Sequence, residues 1–470
     1  MQHPSFKIPP FLQQRITADQ AFHYRIVPIS QDENGLHLKT DSDTLNELLN
    51  ELNIVLDAKV VLEPCEKAEL QQYLTTNYRQ RQDDRSSQFN YTSDFLEKIL
   101  LEAKAIGSSD IHFEPYENKS RVRLRLDGKL LEYYAIPISE YPTMVNKIKI
   151  RANLDISEKR LPQDGRITIA TKGEDFDIRV SSLPTLHGEK LVLRILSRDT
   201  GDIELDELGL TDLELQRYRE GIKKPNGIIL ISGPTGSGKT TTLYATLKKL
   251  NDGATNILTI EDPIEYTLEG INQVQLKENI GLDFASALRT FLRQDPDIIM
   301  VGEIRDVKTA NMAIRAALTG HLVLSTIHTN SAWATVSRLI DMGVPPFLIA
   351  NTLNMSVAQR LVRKLCPHCK EQRPIEPSNF PLDYSIPKSL QIHHVAVGCN
   401  ECHHTGYQGR KAIYEILPVG KDLEVPIKDN QLDIGPYLME RDIPTLQTNA
   451  IALVEQGITS IDEIYSLLSN

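Results

Sequence analysis

The pattern of apolar and polar positions changes character about halfway along the chain. In the first half, residues 121–126 alternate between charged and apolar side chains, which predicts a strand with one buried face. In the second half, the predicted strands are continuous apolar runs, and segments with helical spacing separate them. Strands that alternate with helices in this way indicate a mostly parallel sheet.

The same pattern divides the chain into parts. Because 470 residues exceed what one hydrophobic core serves, several domains are expected. We predict a small N-terminal domain at residues 1–78, a polar linker at 79–88 and a mixed α+β domain at 89–205. The mixed domain has an amphipathic helix at 94–105, a hairpin turn at Asp127-Gly128 and another hairpin around 172–174. An α/β domain follows at 206–470 and includes a cysteine-rich module at 362–412 and a helical C-terminal region at 413–470.

The second half should gather polar residues at one edge of its sheet. We predict strands at residues 227–232, 257–261, 297–301 and 321–326, and polar or charged residues follow each of them. In open parallel sheets, ligands bind outside the carboxyl ends of the strands. The residues that follow these strands are therefore expected to converge on one crevice.

Residues 233–240 read GPTGSGKT, a complete phosphate-loop pattern between a predicted strand and a predicted helix. The glycines let consecutive N–H groups point at a polyphosphate where the helix begins. We expect Lys239 to reach the β- and γ-phosphates and the Thr240 hydroxyl to bind Mg²⁺. The residues predicted to contact nucleotide here are Gly233, Pro234, Thr235, Gly236, Ser237, Gly238, Lys239, Thr240 and Thr241.

Carboxylates follow two of the predicted strands. Glu261, Asp262 and Glu265 form an acidic turn that could hold Mg²⁺ and orient water, although a solvated turn is the favoured explanation when they are taken alone. Glu303 ends the third predicted strand. A carboxylate at that position suits metal binding or activation of the attacking water.

Histidines and arginines add further candidates. His321 and His328 bracket the fourth predicted strand, where a histidine can donate a hydrogen bond to a γ-phosphate or simply be a satisfied polar residue. Phosphoryl transfer often needs an arginine to neutralise developing charge. Arg289 and Arg293 share a face of a predicted helix, and two more lie on strands of the mixed domain; a surface salt bridge is the default role for each. The two arginines of the mixed domain are Arg179 and Arg194.

Four of the five cysteines form two CxxC pairs. Each tight turn places two thiolates on one side, so two turns can complete a tetrahedron round Zn²⁺, and four cysteines leave no open position for catalysis. The pairs are further apart than in common zinc ribbons, and a redox pair is the alternative use. The predicted ligands are Cys366, Cys369, Cys399 and Cys402, with His368, His403 and His404 as possible substitutes.

Charge and hydropathy restrict the partners. The formal net charge of −11 argues against a general nucleic-acid coat. No apolar run approaches the roughly 20 residues that span a bilayer, and the N-terminus lacks the layout of a signal peptide. We therefore expect a cytoplasmic protein that reaches a membrane only through partners and makes no direct contact with nucleic acid.

The chain resembles the ATPases of type II secretion and type IV pilus assembly from about residue 90 to 415. The resemblance rests on matching sequence blocks in the mixed domain and the second half, on the two CxxC pairs and on GYQGR after the second pair. The blocks are SDIHFEP (109–115), RLPQDGR (160–166), HGEKLVLRIL (187–196), GPTGSGKT (233–240), TIEDPIEY (259–266), LRQDPDIIMVGEIRD (292–306) and TGHLVLSTIHTN (319–330).

The resemblance implies a fold and a set of roles. It implies a RecA-like ATPase core that works as a homo-hexameric ring, with the mixed domain closing over ATP. It assigns TIEDPIEY as an acidic box, Glu303 as the catalytic glutamate, and His321 and His328 as a histidine box. It implies that Arg179 and Arg194 approach the phosphates. Arg289 and Arg293 match arginines that family members carry in the ATPase core.

The resemblance also implies a function. It predicts an ATP- and Mg²⁺-dependent motor that drives assembly of a pilus or secretion pseudopilus. The implied partners are an inner-membrane platform protein and the cytoplasmic part of a membrane anchor protein. A retraction or DNA-uptake motor of the same superfamily and a nucleotide-gated scaffold without turnover are the alternatives.

Overall fold

The computed structural model describes residues 95–169, 176–196 and 203–469 and, with gaps, residues 8–74. The predicted linker at 79–88 lies outside the described residues. The N-terminal elements are α1 (Ala18–His23), β1 (Ile26–Asp32), β2 (Gly35–Thr40), α2 (Leu45–Val55) and β3 (Val60–Pro64). Strand β1 pairs antiparallel with β2, which pairs parallel with β3.

The middle of the chain forms a six-stranded antiparallel sheet with the order β6-β5-β4-β9-β8-β7. Its elements are α3 (Phe95–Ala105), β4 (Asp110–Pro115), β5 (Ser120–Leu126), β6 (Lys129–Ile136), α4 (Tyr141–Arg151), β7 (Gln163–Ile169), β8 (Phe176–Thr185) and β9 (Gly188–Leu196). The strand and turn predicted at 121–128 are confirmed. Asp127 and Gly128 both have positive φ, 46° and 85°, as a tight two-residue hairpin turn requires.

The two faces of this sheet differ in chemistry. Ile111 and Phe113 of β4 join an apolar core with the helices α3 and α4. Asp110, His112 and Glu114 alternate with them and point to the opposite face. Arginines of β5, β8 and β9 lie on that second face, so it carries a dense array of charges.

The C-terminal half forms a seven-stranded sheet with the order β12-β11-β13-β14-β10-β15-β18. Only β18 runs antiparallel to its neighbour. The strands predicted at 227–232 and 257–261 are confirmed, and the next two begin one residue later than predicted. The elements up to the end of β14 are α5 (Asp212–Ile222), β10 (Gly227–Ser232), α6 (Lys239–Leu250), β11 (Ile257–Glu261), β12 (Asn272–Gln275), α7 (Phe284–Phe291), β13 (Ile298–Val301), α8 (Val307–Leu318) and β14 (Leu322–Ile327).

Residues after β14 complete the sheet and pack helices against it. β18 continues past residue 413, where the sequence predicts a helical region, because Tyr414 and Ile416 fill the core beside β10. The boundaries of the domains stay predictions. The remaining elements are α9 (Ala334–Asp341), α10 (Pro346–Thr352), β15 (Leu353–Leu365), β16 (Glu371–Pro374), β17 (Ile392–Val395), β18 (Tyr407–Pro418), α11 (Glu424–Lys428), α12 (Gly435–Glu440), α13 (Leu446–Glu455) and α14 (Ile461–Leu468).

Two hydrophobic cores cover the faces of the large sheet. Along β10, Ile228 and Leu230 pack into one core with α7 and α8, whereas Ile229 and Ile231 pack into the other with α6. This explains the continuous apolar run of the strand, since both faces are buried. The parallel strands thus end at one common edge, and the loop at 233–240 follows β10 at that edge.

Candidate active site

The loop at residues 233–240 packs against the neighbouring strand β15. A Cβ atom added at Gly233 would lie 2.5 Å from the Gln359 carbonyl oxygen and 2.6 Å from Ser237 Oγ, so only glycine fits. At Gly238 a Cβ would meet Gln359 Nε2 at 2.8 Å, and φ there is 88°. The close approach of the backbone to β15 fixes the loop at the point where α6 begins.

The Lys239 side chain forms hydrogen bonds with the start of the loop. Its Nζ donates to the carbonyl oxygens of Gly233, at 2.8 Å, and Pro234, at 3.0 Å. Burial lowers the pKa of Lys239, and the negative charge of Glu303 partly opposes that effect. The loop therefore holds a cation at its centre, within reach of the carboxylate that follows β13.

Glu303 and His328 meet at the carboxyl edge, as predicted, because β13 and β14 are paired and end side by side. His328 Nε2 lies 3.6 Å from Glu303 Oε2, and the Glu303 side chain is only 14% exposed. Arg305 also pairs with Glu303, at 2.5 Å between Nη2 and Oε1. The sequence analysis did not identify Arg305 as a candidate, although this residue lies within the matching block at 292–306.

The carboxylates of the acidic turn after β11 differ in burial. Glu261 is buried, and its carboxylate accepts hydrogen bonds from Tyr244, from Thr259 Oγ1 at 2.5 Å and from Gln273 Nε2 at 3.1 Å. Tyr244 belongs to α6, so Glu261 connects the acidic turn to the helix that follows the loop. Glu265 instead lies at the surface and, like the exposed Asp262, remains accessible.

Arg179 makes one of the contacts between the antiparallel sheet and the C-terminal half. Its Nη2 donates to the Ile264 carbonyl oxygen at 2.9 Å, and its Nη1 lies 3.5 Å from Glu265 Oε2. Arg194 is its cross-strand neighbour on β9 and pairs with Asp110, at 2.9 Å from Nε to Oδ1. The two arginines are thus adjacent, and one of them reaches the acidic turn.

Besides Arg194, three predicted residues are not brought to the loop within the described part of this chain. His321 precedes β14 at the amino edge of the sheet, and its Nδ1 donates to the Ala316 carbonyl oxygen at 2.8 Å, which caps the end of α8. Arg289 and Arg293 are exposed on and just beyond α7, and Arg293 Nη1 donates to the Arg289 carbonyl oxygen at 2.9 Å. Their nucleotide-binding roles stay predictions.

The four cysteines of the CxxC pairs form one cluster. Their Sγ atoms all lie within 4.8 Å of one another, and three of the separations are 3.9, 3.8 and 3.8 Å. Among the described residues, no histidine joins this group. Four thiolates bound tetrahedrally at the usual Zn–S distance are separated by roughly 3.8 Å. The donor set and its spacing therefore fit a zinc ion, and the distances are far longer than a disulfide of about 2.05 Å.

The fold and the site together define a mixed α/β protein with a phosphate-type loop and converging acids at one sheet edge. A family model described as "Type II/IV secretion system protein" matches residues 85–466. The chain belongs to this family. The resemblance to secretion and pilus-assembly ATPases is thereby confirmed at the level of the family.

Named relatives agree with this assignment. The chain is 46% identical over 373 residues to the type II secretion system ATPase E of Vibrio cholerae, covering 78% of this chain and 74% of that one. It is 45% identical over 372 residues to the type IV pilus assembly ATPase PilB of Myxococcus xanthus, covering 78% and 66%. The X-ray structure of the Legionella pneumophila ATPase DotB superposes with a TM-score of 0.60 at 22% identity over 81% of this chain and 96% of that one, which shows the mixed α/β fold alone.

None of the described helices combines the length and the apolar character that crossing a membrane requires.

Proposed function

We propose that this chain is an ATPase motor whose RecA-like core hydrolyses ATP to drive assembly of a type IV pilus or a type II secretion pseudopilus. The observation that carries the proposal is the contact of Glu303 with His328 at the sheet edge where Lys239 binds the loop at 233–240. Lys239 would bind the β- and γ-phosphates. Glu303 would accept a proton from the attacking water, and His328 would donate a hydrogen bond to the γ-phosphate.

Mg²⁺ fits the oxygen donors at this edge. The Thr240 hydroxyl is exposed at the start of α6, and Asp262 is exposed in the acidic turn. Hydroxyl and carboxylate oxygens are the ligands that Mg²⁺ prefers, and the bound ion would neutralise charge on the phosphates. Glu261, with its carboxylate buried against Tyr244, would position the turn.

The mixed domain would complete the site on closure. Arg179 contacts the acidic turn, and Arg194 lies beside it, so closure of this domain would bring both guanidinium groups toward the phosphates. Alternate closing and opening would convert hydrolysis into motion. We propose that it acts as a cytoplasmic homo-hexamer on an inner-membrane platform protein, with the cytoplasmic part of an anchor protein as docking partner.

We further propose that the cysteine cluster holds a structural Zn²⁺. The ion would connect the end of β15 to the start of β18, since Leu365 and Tyr407 are paired there, and would hold the loops between the two strands in place. Cys366 N donates to the Gly406 carbonyl oxygen at 2.9 Å, and Lys370 Nζ donates to the Gly457 carbonyl oxygen at 2.8 Å. These contacts extend the influence of the cluster to the C-terminal helices.

The Glu303→Gln variant tests the hydrolytic role. The amide keeps the shape of the side chain but cannot accept the proton, so ATP should still bind while phosphate release falls at least 100-fold. Glu269→Gln, an exposed carboxylate of the same region, is the control and should keep full turnover. Unchanged turnover in Glu303→Gln would remove the assigned role, and a wild-type chain that binds ATP without releasing phosphate would point to the scaffold alternative.

A further inference from the structure

Arg360 lies beside the loop, although neither the loop pattern nor the acidic turn points to it. It stands on β15, directly after Gln359, against which the loop packs. Its Nη1 donates to the Gln359 carbonyl oxygen at 3.0 Å, and its Nη2 donates to the Asn330 carbonyl oxygen at 3.1 Å. A Cβ atom at Gly233 would lie 3.2 Å from Nη1. The guanidinium group therefore connects β15 to the segment that follows His328 and lies close to the first glycine of the loop.

The positive charge of Arg360 has no anionic partner in direct contact. Both recorded acceptors are neutral carbonyl groups, and no carboxylate among the described residues pairs with it. An opposing charge comes from Glu415, but its carboxylate oxygens accept from Ala332 N at 2.8 Å and from Leu446 N at 3.2 Å. Burial lowers the pKa of Arg360. A partly desolvated cation of this kind is stabilised when an anion binds beside it.

Lys239 shows which part of a nucleotide would face this cation. Lys239 Nζ donates to the Gly233 carbonyl oxygen at 2.8 Å, and Arg360 Nη1 would lie 3.2 Å from a Cβ atom on the same glycine, so both cations lie next to Gly233. A phosphate-loop lysine reaches the β- and γ-phosphates. Asn330 stands two residues after His328, which meets Glu303. Arg360 thus lies on the side where the terminal phosphate and the attacking water belong.

We infer that Arg360 binds the terminal phosphate of ATP and lets the site distinguish ATP from ADP. The planar guanidinium group has five donors, so it can contact a phosphate oxygen while it keeps its bond to Asn330. A bound γ-phosphate would then join β15, the loop and the segment after His328. The inference rests on the proposed function, because it concerns the same nucleotide site.

Calorimetric titration of the full chain with Mg²⁺–AMP-PNP and with Mg²⁺–ADP tests this role. In Arg360→Gln the affinity for AMP-PNP should fall at least tenfold while the affinity for ADP changes less than twofold. Lys364→Gln removes one charge from an exposed position of the same strand and should leave both affinities unchanged. Equal losses for both nucleotides would indicate a structural role and overturn the inference, as would no loss for either.

Circular dichroism and gel filtration would reveal whether Arg360→Gln folds. If it does not fold, a second variant keeps the inference testable. Arg360→Lys keeps the charge but cannot span both carbonyl groups, so the preference for AMP-PNP over ADP should fall at least threefold. An unchanged preference would overturn the inference. A wild-type chain that binds neither nucleotide would overturn the proposed function itself, which separates that failure from a failure confined to Arg360.

Discussion

Replacing Glu114 by glutamine tests what holds the charged face of the antiparallel sheet together. Glu114 lies at the centre of this face, with its side chain 4% exposed. Its carboxylate contacts Arg123 Nη2 at 2.7 Å, Lys190 Nζ at 3.0 Å and Arg121 Nε at 3.1 Å. The variant leaves three neighbouring cations without the carboxylate that they share.

The magnitude follows from the pKa of this carboxyl group. Burial alone would raise the pKa of Glu114, but the hydrogen bonds and charges of Arg123 and Lys190 hold it at about 2 instead of 4.5. That difference corresponds to roughly 3 kcal/mol of stability at neutral pH. Because the pKa is lower in the folded state, the stabilisation is complete above about pH 5 and disappears as the pH falls toward 2.

Hydrogen exchange of the β4 and β5 amides measures the effect locally. At pH 7, Glu114→Gln should reduce their protection roughly 100-fold, which is about 3 kcal/mol. The control Glu132→Gln removes a more exposed partner of Arg121 and should change protection by less than about 1 kcal/mol. By pH 3 the difference between wild type and Glu114→Gln should shrink to about half. Equal protection at pH 7, or a difference that stays constant between pH 5 and pH 3, would refute the reasoning.

Three further predictions concern other contacts. Chelation should release about one zinc ion per chain and increase exchange in residues 362–412; absence of metal by mass spectrometry would contradict the cysteine site. Tyr244→Phe removes a donor to the buried carboxylate of Glu261 and should lower stability by about 1.5–3 kcal/mol in thermal unfolding, whereas the exposed Tyr465→Phe should have no effect. Asp127→Asn weakens the acceptor of the Gly409 N–H bond of 2.7 Å, so exchange at 405–410 should become faster; an unchanged rate would mean that this contact does not hold the hairpin against β18.

The parallel strands, the loop and the central acids were predictable because each has a local signature. A buried strand needs an apolar run, and the loop needs glycines at fixed spacing. Glu303 and His328 follow neighbouring strands, so the rule that parallel strands end at one edge was enough to bring them together. The same rule places His321 at the opposite edge, since it precedes its strand.

The contribution of β15 could not be predicted, because it depends on long-range pairing. Gln359 and Arg360 lie more than 100 residues after the loop and meet it only because β15 pairs with β10. The alternation of apolar and polar residues in 353–357 was the available signal for a strand, but it does not reveal which strand pairs with it. The burial of the Glu261 side chain could not be predicted either, because its partner Tyr244 lies in α6, a separate element of the chain.

The acidic turn links the loop helix to the mixed domain because its two ends face different partners. Glu261 is tied to Tyr244, so a shift of α6 moves the start of the turn. Ile264 and Glu265 hold Arg179, so a shift of the turn changes the contact with the mixed domain. Only three residues separate Glu261 from Glu265, so the contacts of α6 and of the mixed domain lie within one short segment.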